Sequence, residues 1–120
     1  MISIDPAHLV GTGGAVGALA RHYVSDLVDV DGFPTGTFAV NVLGSFALAL
    51  FTFLNLQHSA LLFLGTGACG SFTTFSSFSF ETVRLFETGE RWRAIVNAGG
   101  NLAGAGVAIG LAWLLVQAVA

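Results

Sequence analysis

The residues with the most chemical content lie in one stretch, Gly65-Thr-Gly-Ala-Cys-Gly70-Ser-Phe-Thr-Thr-Phe75-Ser-Ser-Phe78-Ser-Phe-Glu81. Phe75 and Phe78 are three residues apart, so on a helix they share a face. Thr74 and Ser77 form a second such pair one residue back, and with Ser76 they set hydroxyls beside the rings. An aromatic ring is negative on its face and positive at its edge. Ring edges combined with hydroxyl donors suit an anion, not a cation. The same residues also suit plain membrane packing, with Phe as filler and Ser and Thr as interhelical contacts, and spacing alone leaves both readings open. Glu81, four after Ser77 and three after Phe78, closes the stretch.

Two further stripes carry amides. Thr37, Asn41, Gly44, Ser45 and Leu48 recur at three- and four-residue steps, as do Asn97, Asn101 and Gly104. An Asn amide has two N–H donors, and in hydrocarbon it must find a partner or line a wet cavity. For Asn41 a structural interhelical bond and a place in a pore wall are equally open. Asn41, Asn97 and Asn101, with Ser45, are candidates for donors converging on one anionic path.

Four spans must position these groups. Roughly twenty apolar residues cross a bilayer core, and the chain reads as an all-α membrane protein with spans at 7–28, 35–56, 59–86 and 94–119. The first is the weakest, because Arg21, His22 and Asp26 fall in its second half; Arg21 can snorkel or pair inside a bundle. In the third, closely spaced Gly65, Gly67 and Gly70 followed by Ser and Thr oppose a continuous helix, which predicts a break at 70–74. Broken backbone at membrane depth is tolerated only inside protein or along an aqueous cavity. Its freed carbonyls can hold a cation, and the N-terminus of the following half-helix favours an anion. Gly13 and Gly17, Gly100 and Gly104, and Gly106 and Gly110 have the spacing that lets helices approach closely in lipid. Four short helices enclose little by themselves, so an oligomer is expected.

Composition excludes other classes. Of 120 residues 54% are hydrophobic and 9% charged, against about 25% charged in a soluble domain. The mean hydropathy is +0.80. A formal net charge of −3 gives no electrostatic basis for binding nucleic acid. One cysteine, Cys69, excludes an intrachain disulfide framework, and the three histidines lack metal-ligand spacing. The first eight residues have no basic region and contain Asp5 and Pro6, so the chain is expected to enter the membrane through its own helices. No nucleophile–base or metal constellation marks an enzyme.

Three ordered segments resemble the Fluc/CrcB family of fluoride channels, over nearly the whole chain. They are Gly13-Gly-Ala-Val-Gly-Ala-Leu-Ala-Arg21, Pro34-Thr-Gly-Thr-Phe-Ala-Val-Asn41-Val-Leu-Gly-Ser-Phe46, and the highly specific Gly70-Ser-Phe-Thr-Thr-Phe-Ser-Ser-Phe-Ser-Phe-Glu81. The resemblance implies a passive channel that exports cytoplasmic fluoride across the cell membrane and lowers its toxicity. It implies two subunits assembled antiparallel, with two pathways lined by Phe75 and Phe78, with Asn41, and with a hydroxyl track at Thr74, Ser76 and Ser77. A central structural sodium (Na+) would be held by the carbonyls of Gly70 and Thr73 from both subunits. Arg21 and Glu81 match the charged residues that close the first and third motifs. The chain departs from the family at Asn97, where many members have Tyr, at Asn101, where many have Ser, and at Ser77, where Thr is common.

Four spans put the termini and the 56–59 turn on one side, without Arg, and direct Arg21, Arg84, Arg91 and Arg93 to the other. The positive-inside rule then predicts termini outside. Such a bias favours a heterodimer with an oppositely oriented homologous subunit over a homodimer of mixed insertion. Two rival readings are a proton-coupled small-molecule antiporter of the small four-helix type and a non-conducting partner subunit. The antiporters rely on a Glu in the first helix, whereas here Glu81 lies toward the far end of the third.

Overall fold

The structure is a computed structural model that describes residues 3–120. Asp5 starts the first helix by accepting the Ala7 amide at 2.8 Å, with Pro6 in the first turn, where its missing N–H costs nothing. Helix α1 spans Pro6–Val28. A turn around Gly32, whose φ of +89° requires glycine, leads through Pro34 into α2, Thr35–Phe53. Helix α2 ends three residues before the expected 56. Asn55 takes up the left-handed conformation (φ 54°), which Asn tolerates better than most side chains, and the chain reverses there.

The third span comprises two helices. Helix α3 covers residues 58–72: a turn at His58–Ala60, a nine-residue π-helix at Leu61–Cys69, and a turn at Gly70–Phe72. Helix α4 is Phe75–Glu87. A turn through Gly89 opens α5, Arg91–Val119, which begins three residues before the expected 94. Arg91 and Arg93 end the apolar span without ending the helix, because charge limits membrane depth, not helical geometry. Among the described residues the only strand-like pairing is an isolated bridge between Val30 and Phe33.

Two helices, α2 and α5, are long and apolar enough to cross a membrane by themselves. At about 1.5 Å per residue, the 19 residues of α2 match the roughly 30 Å hydrocarbon core. The third span is divided between α3 and α4, so neither piece reaches that length alone.

Packing inverts the soluble pattern. The buried set is small or polar: Val40, Ala49, Ala94, Ala108 and Ala112, with Thr37, Thr74, Asn97 and Asn101 among them. Leu19, Phe80, Trp92 and Leu102 stand at the surface. Such an apolar exterior around a polar interior is stable in lipid and not in water. Glycine sets the tightest contact. A β-carbon at Gly13 or Gly17 would collide with the carbonyls of Phe63 and Ala68 on the π-helix of α3. By contrast, Gly106 and Gly110 on α5 face open space.

Candidate functional site

At Thr73 and Thr74 the backbone is extended, with φ/ψ of −81°/159° and −147°/119°. An extended pair inside a bundle leaves peptide groups that need partners. Asn41 on α2 supplies them. Its Oδ1 accepts the Thr74 amide at 2.8 Å, and its Nδ2 donates to the Thr74 carbonyl at 3.1 Å. The side chain thus imitates a neighbouring strand for one residue. Thr74 in turn caps α4, its Oγ1 accepting the Ser77 amide at 3.1 Å. Thr73 closes α3 by donating both its amide and its hydroxyl to the Cys69 carbonyl, at 3.1 and 3.0 Å.

The end of α3 leaves the carbonyls of Gly70, Ser71, Phe72 and Thr73 without their helical donors. In a continuous α-helix the Thr74 amide would serve the Gly70 carbonyl, and the Ser77 amide would serve that of Thr73. Both donors are diverted to side chains, on Asn41 and on Thr74. The carbonyls of Gly70 and Thr73 are uncharged hard oxygens, the donor type that unwound membrane helices present to sodium. Gly70 is exposed on the single chain, and a β-carbon there would meet nothing within 4 Å.

Beside the interruption runs an open groove of about 340 Å³, lined among others by Asn41, Ser45, Thr74, Phe75, Phe78 and Asn101. The Phe75 and Phe78 rings lie 5.8 Å apart, inclined at 46°. Phe75 is 79% exposed on the single chain, so one of its faces is available to lipid or to a second subunit. Ser76 sits outside the lining, its Oγ 3.3 Å from that of Thr74, and Ser77 contributes its amide to the cap.

The asparagines meet, but their amides are turned into one another. Asn41 Nδ2 also donates to Asn101 Oδ1 at 3.1 Å. Asn101 Nδ2 donates to the carbonyl of Asn97 at 2.9 Å and to its Oδ1 at 3.1 Å. Asn97, 1% exposed and absent from the groove lining, donates to Thr82 Oγ1 at 2.8 Å. Three convergent donors facing one path is therefore not the arrangement found: Asn41 and Asn101 reach the groove, and Asn97 is sealed behind it. Stripe spacing alone does not mark Thr82. Its signal is its place four residues after Phe78, where a Thr hydroxyl returns to the earlier carbonyl, here at 2.7 Å.

Toward the charged end of the bundle, Thr37 Oγ1 donates to Glu81 Oε1 at 2.9 Å, and Oε2 is enclosed without a partner. Glu81 borders a second cavity of about 390 Å³ with Asp29, Asp31, Arg84 and Glu90. Arg93 ties this end together by donating to the Gly32 carbonyl at 3.0 Å. Arg21 is half-buried and, among the described residues, in no ion pair.

Comparison with known proteins matches residues 8–114 to the family described as CrcB-like protein, Camphor Resistance (CrcB). The chain is 57% identical over 119 residues to fluoride-specific ion channel FluC 2 of Haloarcula marismortui, covering 99% of this chain and all of that one. It is 50% identical over 111 residues to fluoride-specific ion channel FluC 1 of Halobacterium salinarum, covering 92% and 93%. To fluoride-specific ion channel FluC of Methanocaldococcus jannaschii it is 44% identical over 101 residues, covering 80% and 82%. A match of this length, across both amide stripes and the interrupted span, has one meaning: the chain belongs to the CrcB-like family of membrane proteins.

Proposed function

We propose that this chain is a passive, fluoride-selective ion channel that exports cytoplasmic fluoride through the cell membrane. The observation that carries the reading is the groove beside the interruption, where the Phe75 and Phe78 rings meet the hydroxyls of Ser45 and Thr74 with no cationic side chain among its lining. The relatives' shared name, fluoride-specific ion channel, supports it.

Fluoride holds its water tightly, and a dry apolar pore would exclude it. Hydroxyl hydrogens and positive ring edges replace that water one contact at a time. The absence of a fixed positive charge in the lining keeps each contact weak enough to leave. Transport needs no coupled reaction, because an inside-negative potential supplies about 2.3 kcal/mol per charge per 100 mV in the outward direction.

A groove open on one side is half a pathway. The uncovered Gly106 and Gly110 stripe, the outward Phe75 ring and the half-shell of carbonyls at Gly70 and Thr73 all call for a second subunit. We assign that role to an antiparallel partner, a second copy or an oppositely oriented homologue, so that two pathways flank the twofold axis. The Gly70 and Thr73 carbonyls of both subunits would hold a structural sodium at the centre, where its charge joins the two halves.

The test is fluoride efflux from liposomes containing wild type, Phe75→Ile or Phe78→Ile. Fast wild-type efflux is expected. Each variant loses a ring contact of about 1 kcal/mol, roughly a fivefold slowing. Variants as fast as wild type would remove the rings from the pathway.

A further inference from the structure

Apart from the return bond from Asn41 Nδ2 to the Thr74 carbonyl, the hydrogen bonds that link the asparagines run in one sense. The Thr74 amide donates to Asn41 at 2.8 Å, Asn41 to Asn101 at 3.1 Å, Asn101 to Asn97 at 3.1 Å, Asn97 to Thr82 at 2.8 Å, and Thr82 to the Phe78 carbonyl at 2.7 Å. The chain starts at the interrupted backbone and ends one turn into α4, at the residue that carries the second ring. It crosses from α2 to α5 and back to α4. We infer that Asn97 and Thr82, which lie outside the groove, are positioning residues that hold the Asn41 amide in the orientation required at the interruption through this ladder.

The physical grounds are orientation and polarisation. An amide has distinct donor and acceptor ends. Turning Asn101 about would set its Nδ2 against that of Asn41 and its Oδ1 against that of Asn97. Each member thus dictates the orientation of the next, and Thr82, with its hydroxyl committed to Phe78, sets the last. Within a low-dielectric interior such a chain strengthens cooperatively. Asn97 is 1% exposed and Asn101 6%, so water does not substitute for a missing member. Asn41 needs this support because its oxygen and nitrogen must face the amide and the carbonyl of Thr74 in the right sense.

The inference rests on the channel reading for its effect on transport, but the ladder itself has an independent readout. The experiment compares wild type, Thr82→Val, Thr82→Ser, Asn97→Leu and the Asn97→Leu/Thr82→Val double variant. It measures fluoride efflux from liposomes and the side-chain ¹⁵N–¹H resonance of Asn41 in micelles. Thr82→Val preserves shape and removes the hydroxyl. It is expected to move the Asn41 resonance and to slow efflux about fivefold, the size of one lost hydrogen bond. Thr82→Ser keeps the hydroxyl and restores both toward wild type. The double variant is expected to lose no more than Asn97→Leu alone, because members of one network are not additive. An unmoved Asn41 resonance in folded Thr82→Val, or additive losses in the double variant, would overturn the ladder. An inert wild type would instead end the channel reading, while the Asn41 resonance would still decide the coupling.

Discussion

Changing Asn41 to Asp probes the interruption with the smallest possible alteration, one NH₂ exchanged for an oxygen. The remaining oxygen still accepts the Thr74 amide, which lies 2.8 Å away. The new oxygen takes the place of Nδ2, 3.1 Å from the Thr74 carbonyl and 3.1 Å from Asn101 Oδ1. Two donations become oxygen–oxygen contacts. Thr74 is 8% exposed and Asn101 6%, so neither acceptor recovers a bond from water. Each orphaned acceptor costs about 1–3 kcal/mol, and a carboxylate at mid-membrane adds about 2.5–3.5 kcal/mol. The sum, roughly 4.5–9.5 kcal/mol, rivals the whole stability of many domains. Reversible unfolding in mixed micelles measures it, with fluoride efflux alongside. Efflux is expected to collapse with the fold. A variant within about 1 kcal/mol of wild type would refute the claim that Asn41 Nδ2 holds the broken backbone.

Other outcomes follow from the same geometry. Gly17→Ala drives a methyl into the Ala68 carbonyl and is expected to destabilise the bundle by about 1–3 kcal/mol in the same unfolding assay. Gly106→Ala meets nothing within 4 Å, so helix propensity is expected to raise stability by up to about 1 kcal/mol, and size exclusion reads whether it disturbs the proposed dimer. Glu81→Gln keeps an acceptor for Thr37 and is expected to retain fluoride efflux that ignores an imposed proton gradient; proton-coupled flux lost in this variant would favour an antiporter. If the proposed dimer holds sodium, exchanging sodium for a bulky organic cation is expected to lower its stability. If sodium stood at a hundred times its Kd, the loss would be about 2.7 kcal/mol, read as a lower unfolding midpoint.

The sequence carried the membrane class, the approximate bounds of the helices and several of the residues around the groove. Apolar length and the scarcity of charge are one-dimensional properties, and lipid imposes them on any chain that crosses it. The motif from Gly70 to Glu81 was legible for the same reason, since Gly, Ser and Thr resist a continuous helix wherever they cluster. What each amide does was not legible. Asn41 read equally as pore wall and as interhelical bond, and in the folded chain its amide is committed to Thr74 and Asn101 while one edge borders the groove. The role of Thr82 is not legible in the sequence, because its partner Asn97 is fifteen residues away and on another helix.

Sequence by itself determined that this chain is a membrane helix bundle with an irregular third span rich in rings and hydroxyls. Tertiary structure alone decided that the Asn41 and Thr74 side chains take up the amides of Thr74 and Ser77 where the third span is interrupted. It also decided that Asn97 is sealed behind the groove while Phe75 and Phe78 line it. The physical reason is that periodicity fixes which residues share a face, but the partner of each donor depends on which helix lies opposite and at what depth. That is settled only when glycines such as Gly13 and Gly17 let the backbones come into contact.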